Sequence, residues 1–313
     1  MRVLVLGGCG YVGAQLVPVL LARGHTVSVV DEMWFGNGSL PRDNDSLSSS
    51  MMSALPENVE FENNDAVIDL AGMTNNAMCE LNPVLDHQNN RVRFDKFARG
   101  ARSRGIKRFI YASSVAAYGS TKTPATEDTP LRPTTLYGAS KAYCEAQALW
   151  LQSDEFAVTI VRAASVVGAS MNMRFDTTMN KMTHDAERYG VIQVNGGPQV
   201  RTHVSIKDLC DFYCLCLEDK ETQGQVYNVV DKNMTVGESA ELVSGLAGAS
   251  ITYSGPRDQR SYMVDGAKAR ALGWEPKHGI EKAVGDVLVR LRSSYWEDST
   301  TNDKYQRMRY DIA

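Results

Sequence analysis

The chain has 313 residues, 43% of them hydrophobic, and a formal net charge of −4. That is enough apolar material for one large globular unit or two lobes, and the mild acidity offers no field to attract nucleic acid or an anionic membrane surface. No apolar run reaches the length of a membrane span and no signal-peptide pattern precedes the first strand, so a cytoplasmic protein is expected.

Residues 3–6 are wholly apolar and read as a parallel strand buried on both faces. Gly7, Gly10, Tyr11, Val12 and Gly13 follow, and residues 14–23 read as a helix. In that context each glycine has a role. Gly7 permits the tight turn, Gly10 lets backbone N–H groups approach a pyrophosphate, and Gly13 lets the helix pack closely on the sheet. The helix N-terminus adds partial positive charge. A second strand, residues 26–30, ends in Asp31, 18 residues beyond the last glycine. A carboxylate there accepts hydrogen bonds from an adenosine ribose and repels a 2′-phosphate, so NAD is expected rather than NADP.

Beyond Asp31 the chain reads as loop through the serine-rich stretch 43–53. Residues 59–61 have the composition of a strand, and 65–71 that of a better one. Only Glu62, Asn63 and Asn64 separate them, too few for a crossover between parallel neighbours. Either 59–61 is not the parallel neighbour of the next strand, or a helix has been lost here, or the chain lacks a segment.

Residues 83–104 read as one long helix closed by Gly105, 107–113 as a strand, 136–152 as a helix and 157–162 as a buried strand. The alternation predicts an α/β fold, a doubly wound parallel sheet of Rossmann type. Past Arg162 the rhythm changes to helices at 175–189, 207–218, 235–246, 266–272 and 279–292, with short strands at 191–194, 200–204, 226–230 and 251–253. These predict a smaller C-terminal α/β lobe. Residues 1–165 are thus expected to form the dinucleotide-binding domain. Residues 166–313 are expected to form mainly the substrate lobe, with about 199–230 returning to the first domain. In the polar tail, Tyr295, Trp296, Tyr305 and Tyr310 are candidate anchors onto the body. The six cysteines fit no zinc spacing and read as reduced core residues, and the five histidines are scattered, so no metal is expected.

Tyr137-Gly-Ala-Ser-Lys141 places a phenol and an ammonium one helical turn apart, on one face. A neighbouring ammonium favours an ionised phenol and makes tyrosine usable as a base. Ser113 and Ser114 end a predicted parallel strand, where open α/β sheets bind ligands, and a hydroxyl there can hold a substrate oxygen against Tyr137.

Together these segments resemble the extended short-chain dehydrogenase/reductase family, specifically its nucleotide-sugar epimerases and dehydratases. The resemblance covers the glycine turn, Leu70-Ala71-Gly72, Tyr111 to Gly119, Glu127 to Pro133, Tyr137 to Lys141, Arg162 with Gly168, Arg201 to Val204 with Asp208, and Leu272 to Pro276. It implies NAD on the N-terminal sheet, with Leu70, Ala71 and Gly72 among its contacts, and a nucleoside-diphosphate sugar on the C-terminal lobe. Tyr137 would be the base, and Lys141 its partner and a contact of the nicotinamide ribose. The catalytic hydroxyl falls on Ser114 rather than Ser113. Arg201 matches the usual diphosphate clamp, Arg260 is a candidate second clamp, and Asn180 a candidate phosphate or sugar contact.

The resemblance also implies inversion at C4 of the sugar through a 4-keto intermediate. Family 4,6-dehydratases carry an Asp-Glu pair after the catalytic hydroxyl, whereas this chain has Val115 and Ala116. A dehydratase or another NAD-dependent sugar-nucleotide enzyme is the alternative, and a non-enzymatic NAD-binding regulator is disfavoured because Ser114, Tyr137 and Lys141 are all retained. The chain departs from the family in lacking the Gly-Asp element that contacts adenine near residues 63–65. It also has Ser165 and Val167 where Asn and Tyr are usual. Relatives dimerise through the two helices matching 83–104 and 136–152, so a homodimer is expected; the first carries Arg91, Arg93, Lys96, Arg99, Arg102 and Arg104, read as a solvated basic face.

Overall fold

The computed structural model describes residues 1–36, 40, 45–51, 59–74, 76–255 and 260–293. The elements run β1 (Arg2–Leu6), α1 (Gly13–Ala22), β2 (Thr26–Asp31), β3 (Leu47–Met51), β4 (Ala66–Asp69), α2 (Asn76–Leu81), α3 (Pro83–Asp86), α4 (Arg93–Ser103), β5 (Arg108–Ser114), α5 (Leu136–Leu151) and β6 (Ala157–Ala163). Then come β7 (Ser165–Val167), α6 (Thr178–Tyr189), β8 (Val191–Asn195), β9 (Val200–Ser205), α7 (Ile206–Glu218), β10 (Val226–Val229), β11 (Lys232–Thr235), α8 (Val236–Ala247), β12 (Ser250–Ser254), α9 (Ala267–Ala271) and α10 (Gly279–Arg292).

Seven strands form one parallel sheet in the order β10-β6-β5-β4-β1-β2-β3. Strand order reverses between β1 and β4, and an open sheet leaves a crevice at the carboxyl ends of such a pair. Along β1 the side chains alternate: Val3 and Val5 enter the core on one face, and Leu4 and Leu6 the core on the other. Helices α1 and α7 cover the first face with Leu16, Leu20, Leu209 and Phe212, and α4 and α5 the second with Phe94, Phe97 and Ala148. Two small sheets, β11-β9-β7 and β12-β8, carry the remaining strands. Between β12 and β8 and the helices α6, α8 and α10 lies a third core that includes Ile192, Val194, Val243 and Val284.

The crowding around residues 59–65 resolves simply: residues 59–61 are not a strand. Phe61 is fully buried and meets Phe97 edge-on at 6.2 Å between ring centroids, so the apolar signal is that of a loop plugging the core. The strand beside β2 is instead β3, drawn from the serine-rich stretch that reads as loop. An edge strand has one neighbour and little core to fill, so its polar composition is no obstacle. The predicted helix 83–104 is continuous but contains a π-helical turn, His87–Val92, between α3 and α4. Its arginines do not form a single solvated face: Arg93 is buried and pairs with Asp69, which is inaccessible to solvent. The structure adds α2, β7 and β11, each too short for periodicity to reveal. The aromatic residues of the tail lie outside the described residues.

His203 on β9 is inaccessible; its Nε2 lies 3.3 Å from the Ser239 hydroxyl, and its Nδ1 has no partner among the described residues. Burial, aided by the nearby Arg201 charge, pushes its pKa from 6.5 down to about 3. The folded state therefore refuses a proton that the unfolded chain accepts. His203 stabilises fully above pH ~6.5 and loses that contribution as the pH falls from there toward ~3. Urea unfolding across that range is expected to show a steeper acid loss for wild type than for His203→Gln, by up to about 1.4 kcal/mol per pH unit.

Candidate active site

The glycine turn is held from two sides. Gly7 adopts φ +80° and donates its N–H to the Val30 carbonyl at 2.8 Å, which ties the turn to the end of β2. A Cβ on Gly13 would sit 2.5 Å from the Gly7 carbonyl oxygen, so the first turn of α1 approaches as only glycine allows. Helix α1 opens on Val12, which supplies no side-chain cap; the Ala14 N–H goes to the Gly10 carbonyl at 2.9 Å, and the helix start lines the cleft, where its partial positive charge favours a ligand anion. From the C-terminal half, Ser170 donates to the Tyr11 carbonyl at 2.7 Å and Asn172 to the Cys9 carbonyl at 2.6 Å. The Tyr11 hydroxyl donates to the Gly168 carbonyl at 2.7 Å, and burial raises its pKa, keeping it a donor.

Asp31 accepts the N–H groups of Cys9 at 2.8 Å and Met33 at 2.7 Å while lining the cleft, which fixes its carboxylate at the end of β2 beside the glycine turn. Glu32 lines the cleft beside it; burial, then the Asp31 charge, raises its pKa, opposed by Arg93. Two adjacent carboxylates make a poor site for a 2′-phosphate. The glycine cradle, the uncapped helix start and these acids together fit NAD.

The candidate reacting groups come from the end of β5 and the first turns of α5. Ser114 ends β5, and its Oγ accepts the Ala116 N–H at 3.2 Å, which aims the hydroxyl into the cleft at the start of a short 3-10 turn, Val115–Tyr118. Ser113 instead gives its hydroxyl to the buried Glu145. Helix α5 begins at the Thr135 cap, whose Oγ1 accepts the Gly138 N–H at 3.1 Å. A Cβ at Gly138 would stand 2.6 Å from the Ala116 carbonyl oxygen, so this glycine lets α5 lie directly on the turn after Ser114. Lys141 donates to the Ala112 carbonyl at 2.6 Å and sits 4.8 Å from the Tyr111 and 5.7 Å from the Tyr137 ring centroids. Tyr137 packs against Met73, Met78 and Cys79 with its edge in the cleft.

All these groups share one cleft of about 510 Å³. It is lined by Gly7, Gly10, Tyr11, Val12, Gly13, Asp31, Leu70, Ala71, Gly72, Ser114, Tyr137, Lys141, Arg201 and Arg260. Asn180 does not reach it. Its amide is inaccessible and occupied: Oδ1 accepts the Gly168 N–H at 3.2 Å, and Nδ2 donates to the Tyr11 hydroxyl at 3.0 Å and the Arg174 carbonyl at 3.2 Å. Asn180 therefore supports the glycine turn from behind and is not among the residues that line the cleft. Arg201 donates to the Val200 and Arg260 carbonyls, and its guanidinium lies 5.4 Å from the Tyr262 ring centroid.

Sequence reading missed Glu32, Arg93, Arg174 and Asp176, which also line the cleft. Phe175 and Asp176 fall in the predicted helix 175–189, whereas α6 begins only at Thr178, and nothing in one dimension aims Arg174 and Asp176 at the cleft.

A family model described as NAD dependent epimerase/dehydratase family matches residues 3–229. The UDP-glucose 4-epimerase of Lactobacillus helveticus is 30% identical over 323 residues, covering 92% of this chain and 95% of that protein. Among solved structures, the UDP-glucose 4-epimerase of Thermotoga maritima, solved with UDP-glucose, superposes with a TM-score of 0.84 at 24% identity, covering 93% of this chain and 99% of that one. The UDP-glucose 4-epimerase of Thermus thermophilus, complexed with NAD, gives 0.82 at 25% identity, covering 94% and 100%. With most of its length matched and a dinucleotide cradle in place, the chain belongs to the NAD-dependent epimerase/dehydratase family and takes NAD as its cofactor.

Proposed function

We propose that the protein inverts C4 of a nucleoside-diphosphate hexose, with UDP-glucose and UDP-galactose as the first pair to test. The observation that carries this is the convergence of Ser114, Tyr137 and Lys141 on one cleft continuous with the glycine turn. Tyr137 takes the proton from the C4 hydroxyl, and Ser114 holds the same oxygen in line. Lys141, fixed by the Ala112 carbonyl, keeps positive charge beside the phenol and would hold the nicotinamide ribose of the bound cofactor. Bound NAD supplies a reversible acceptor for the hydride from C4, regenerated each turnover. Tyr137 returns its proton once the sugar has presented its other face. Arg201 and Arg260 hold the diphosphate, for which the planar guanidinium fork is suited. Val115 and Ala116 also line the cleft, and neither moves a proton, so elimination at C5 and C6 lacks the acid–base pair it needs.

We further propose a cytoplasmic homodimer. The described helices include none long and apolar enough to cross a membrane, and all six cysteines are buried and free, which suits a reducing compartment. Trp150 at the end of α5 is 67% exposed with the Arg99 guanidinium 5.0 Å from its ring centroid, and Val84 on α3 is 71% exposed. A second copy would cover them.

Tyr137→Phe is expected to lower turnover of UDP-glucose to UDP-galactose by roughly 10²–10⁴-fold while NAD still co-purifies. Near-native turnover would refute the assignment of the base. In deuterated water the product should gain no carbon-bound deuterium. Light scattering at micromolar concentration should give twice the chain mass, reduced by Trp150→Glu; a monomeric wild type would remove the dimer.

A further inference from the structure

The loop that leaves β4 is gripped from behind, residue by residue. Asp69 ends that strand and is inaccessible, and its Oδ1 accepts the Ala71 N–H at 3.1 Å. Arg93, at the start of α4, donates Nη2 to Asp69 Oδ2 at 3.2 Å and to the Ala71 carbonyl at 2.9 Å, with Nη1 3.2 Å from the other carboxylate oxygen. Its Nε donates to the Asn89 carbonyl at 2.9 Å, and its guanidinium lies 5.7 Å from the centroid of the buried Phe97 ring. One buried ion pair therefore holds both backbone groups of Ala71. Two residues on, one amide holds both backbone groups of Met73: Asn90 Oδ1 accepts the N–H at 2.8 Å, and Nδ2 donates to the carbonyl at 3.1 Å. Asn90 also donates to the buried Asp86 at 2.6 Å.

Gly72, between these two held residues, is left open. Among the described residues neither its N–H nor its carbonyl makes a hydrogen bond, and it is exposed where it lines the cleft. It adopts φ +139°, and a Cβ there would stand 2.5 Å from Asn90 Oδ1, so glycine is what lets that amide reach Met73. The same loop touches the glycine turn. A Cβ on Gly7 would lie 2.8 Å from both the N and Cα of Ala71, so the turn off β1 and the loop off its neighbour β4 meet there in direct contact.

A buried ion pair is a weak source of stability, and apolar side chains of similar volume commonly replace one at little cost. Apolar side chains would fill the space behind Ala71, but they would not bind its N–H and its carbonyl. We infer that Asp69, Arg93 and Asn90 are positioning residues for the cofactor: they fix Ala71 and Met73 so that the N–H and carbonyl of Gly72 stand open beside the glycine turn as a preformed hydrogen-bonding site for NAD. Order imposed before binding is not lost on binding, so it is read as affinity. The inference needs NAD and no particular sugar, and it stands or falls separately from the choice of substrate.

The test is calorimetric binding of NAD to protein freed of bound nucleotide, for wild type, Asp69→Leu/Arg93→Met, Arg93→Lys and Asn90→Ala. Melting temperature without NAD and amide exchange over residues 70–74, with and without NAD, are read on the same samples. The double variant leaves no lone buried charge, so it is expected to melt close to wild type yet bind NAD roughly tenfold to a hundredfold more weakly. Arg93→Lys keeps the charge but loses the rigid fork that serves Asp69 and Ala71 together, and is expected to bind about threefold to tenfold more weakly. NAD is expected to slow exchange over 70–74 in wild type, and to do so less in the double variant and in Asn90→Ala. A merely structural pair would move the melting temperature and leave both NAD readouts of the folded protein alone. Wild-type NAD affinity in the double variant overturns the inference, as does exchange over 70–74 that NAD leaves unchanged in wild type. If the double variant fails to fold, Arg93→Lys decides: weaker NAD binding at an unchanged melting temperature supports the inference, and wild-type affinity overturns it.

Discussion

The seating of α5 on the sheet depends on one buried ion pair, Glu145 with Arg162. Glu145 lies on α5, one helical turn beyond Lys141, and Arg162 on β6; three nitrogen–oxygen contacts of 2.7 to 3.1 Å join them. The Ser113 hydroxyl reaches the same carboxylate from β5. Arg162 also donates to the Tyr118 hydroxyl at 2.6 Å, which in turn donates to the Asn228 amide oxygen on β10 at 2.8 Å. One polar chain therefore fixes the rotation of α5 against three strands. A helix held by apolar contacts alone could turn or slide; charges removed from water tolerate few alternative geometries, because breaking such a pair costs about 3–5 kcal/mol. That rotation decides whether Tyr137 and Lys141 face Ser114.

A second constraint links the halves of the chain. The carbonyls of Cys9 and Tyr11 are gripped by Asn172 and Ser170, and Tyr11 is gripped through its hydroxyl by Gly168 and Asn180. The loop that receives a cofactor pyrophosphate is thus shaped partly by residues more than 150 positions away. Pulling those carbonyls toward the C-terminal half favours a turn whose N–H groups face the cleft. The glycine turn and the C-terminal half are thus joined by direct hydrogen bonds.

The cleft is strongly charged but locally matched. Arg93 answers Asp69, and Arg174 answers Asp176, while Asp31 is bound by backbone N–H groups. Such pairing allows charged side chains to line the cleft and still present hydrogen-bonding groups.

Much of this was written in local patterns. The glycine spacing, the apolar run before it and the acid closing β2 specify a dinucleotide turn because the backbone there tolerates few residues. Tyr137 and Lys141 declare themselves because helical spacing puts them on one face. Other features depend on partners distant in sequence. Residues 59–61 carry a strand-like composition, and yet Phe61 serves as a core plug because Phe97 stands opposite. The serine-rich β3 becomes a strand because β2 offers it an open edge. Asn180 looked like a ligand contact but is buried behind Tyr11, and Arg93 looked solvated until folding set it on Asp69. The glycine turn, the placement of Ser114, Tyr137 and Lys141 on one cleft and the family were legible in the sequence, since each is a short-range pattern of conformation or spacing. Tertiary structure alone decided which polar side chains face the cleft and which are locked behind it, because burial and charge pairing are set by neighbours that the chain order does not bring together.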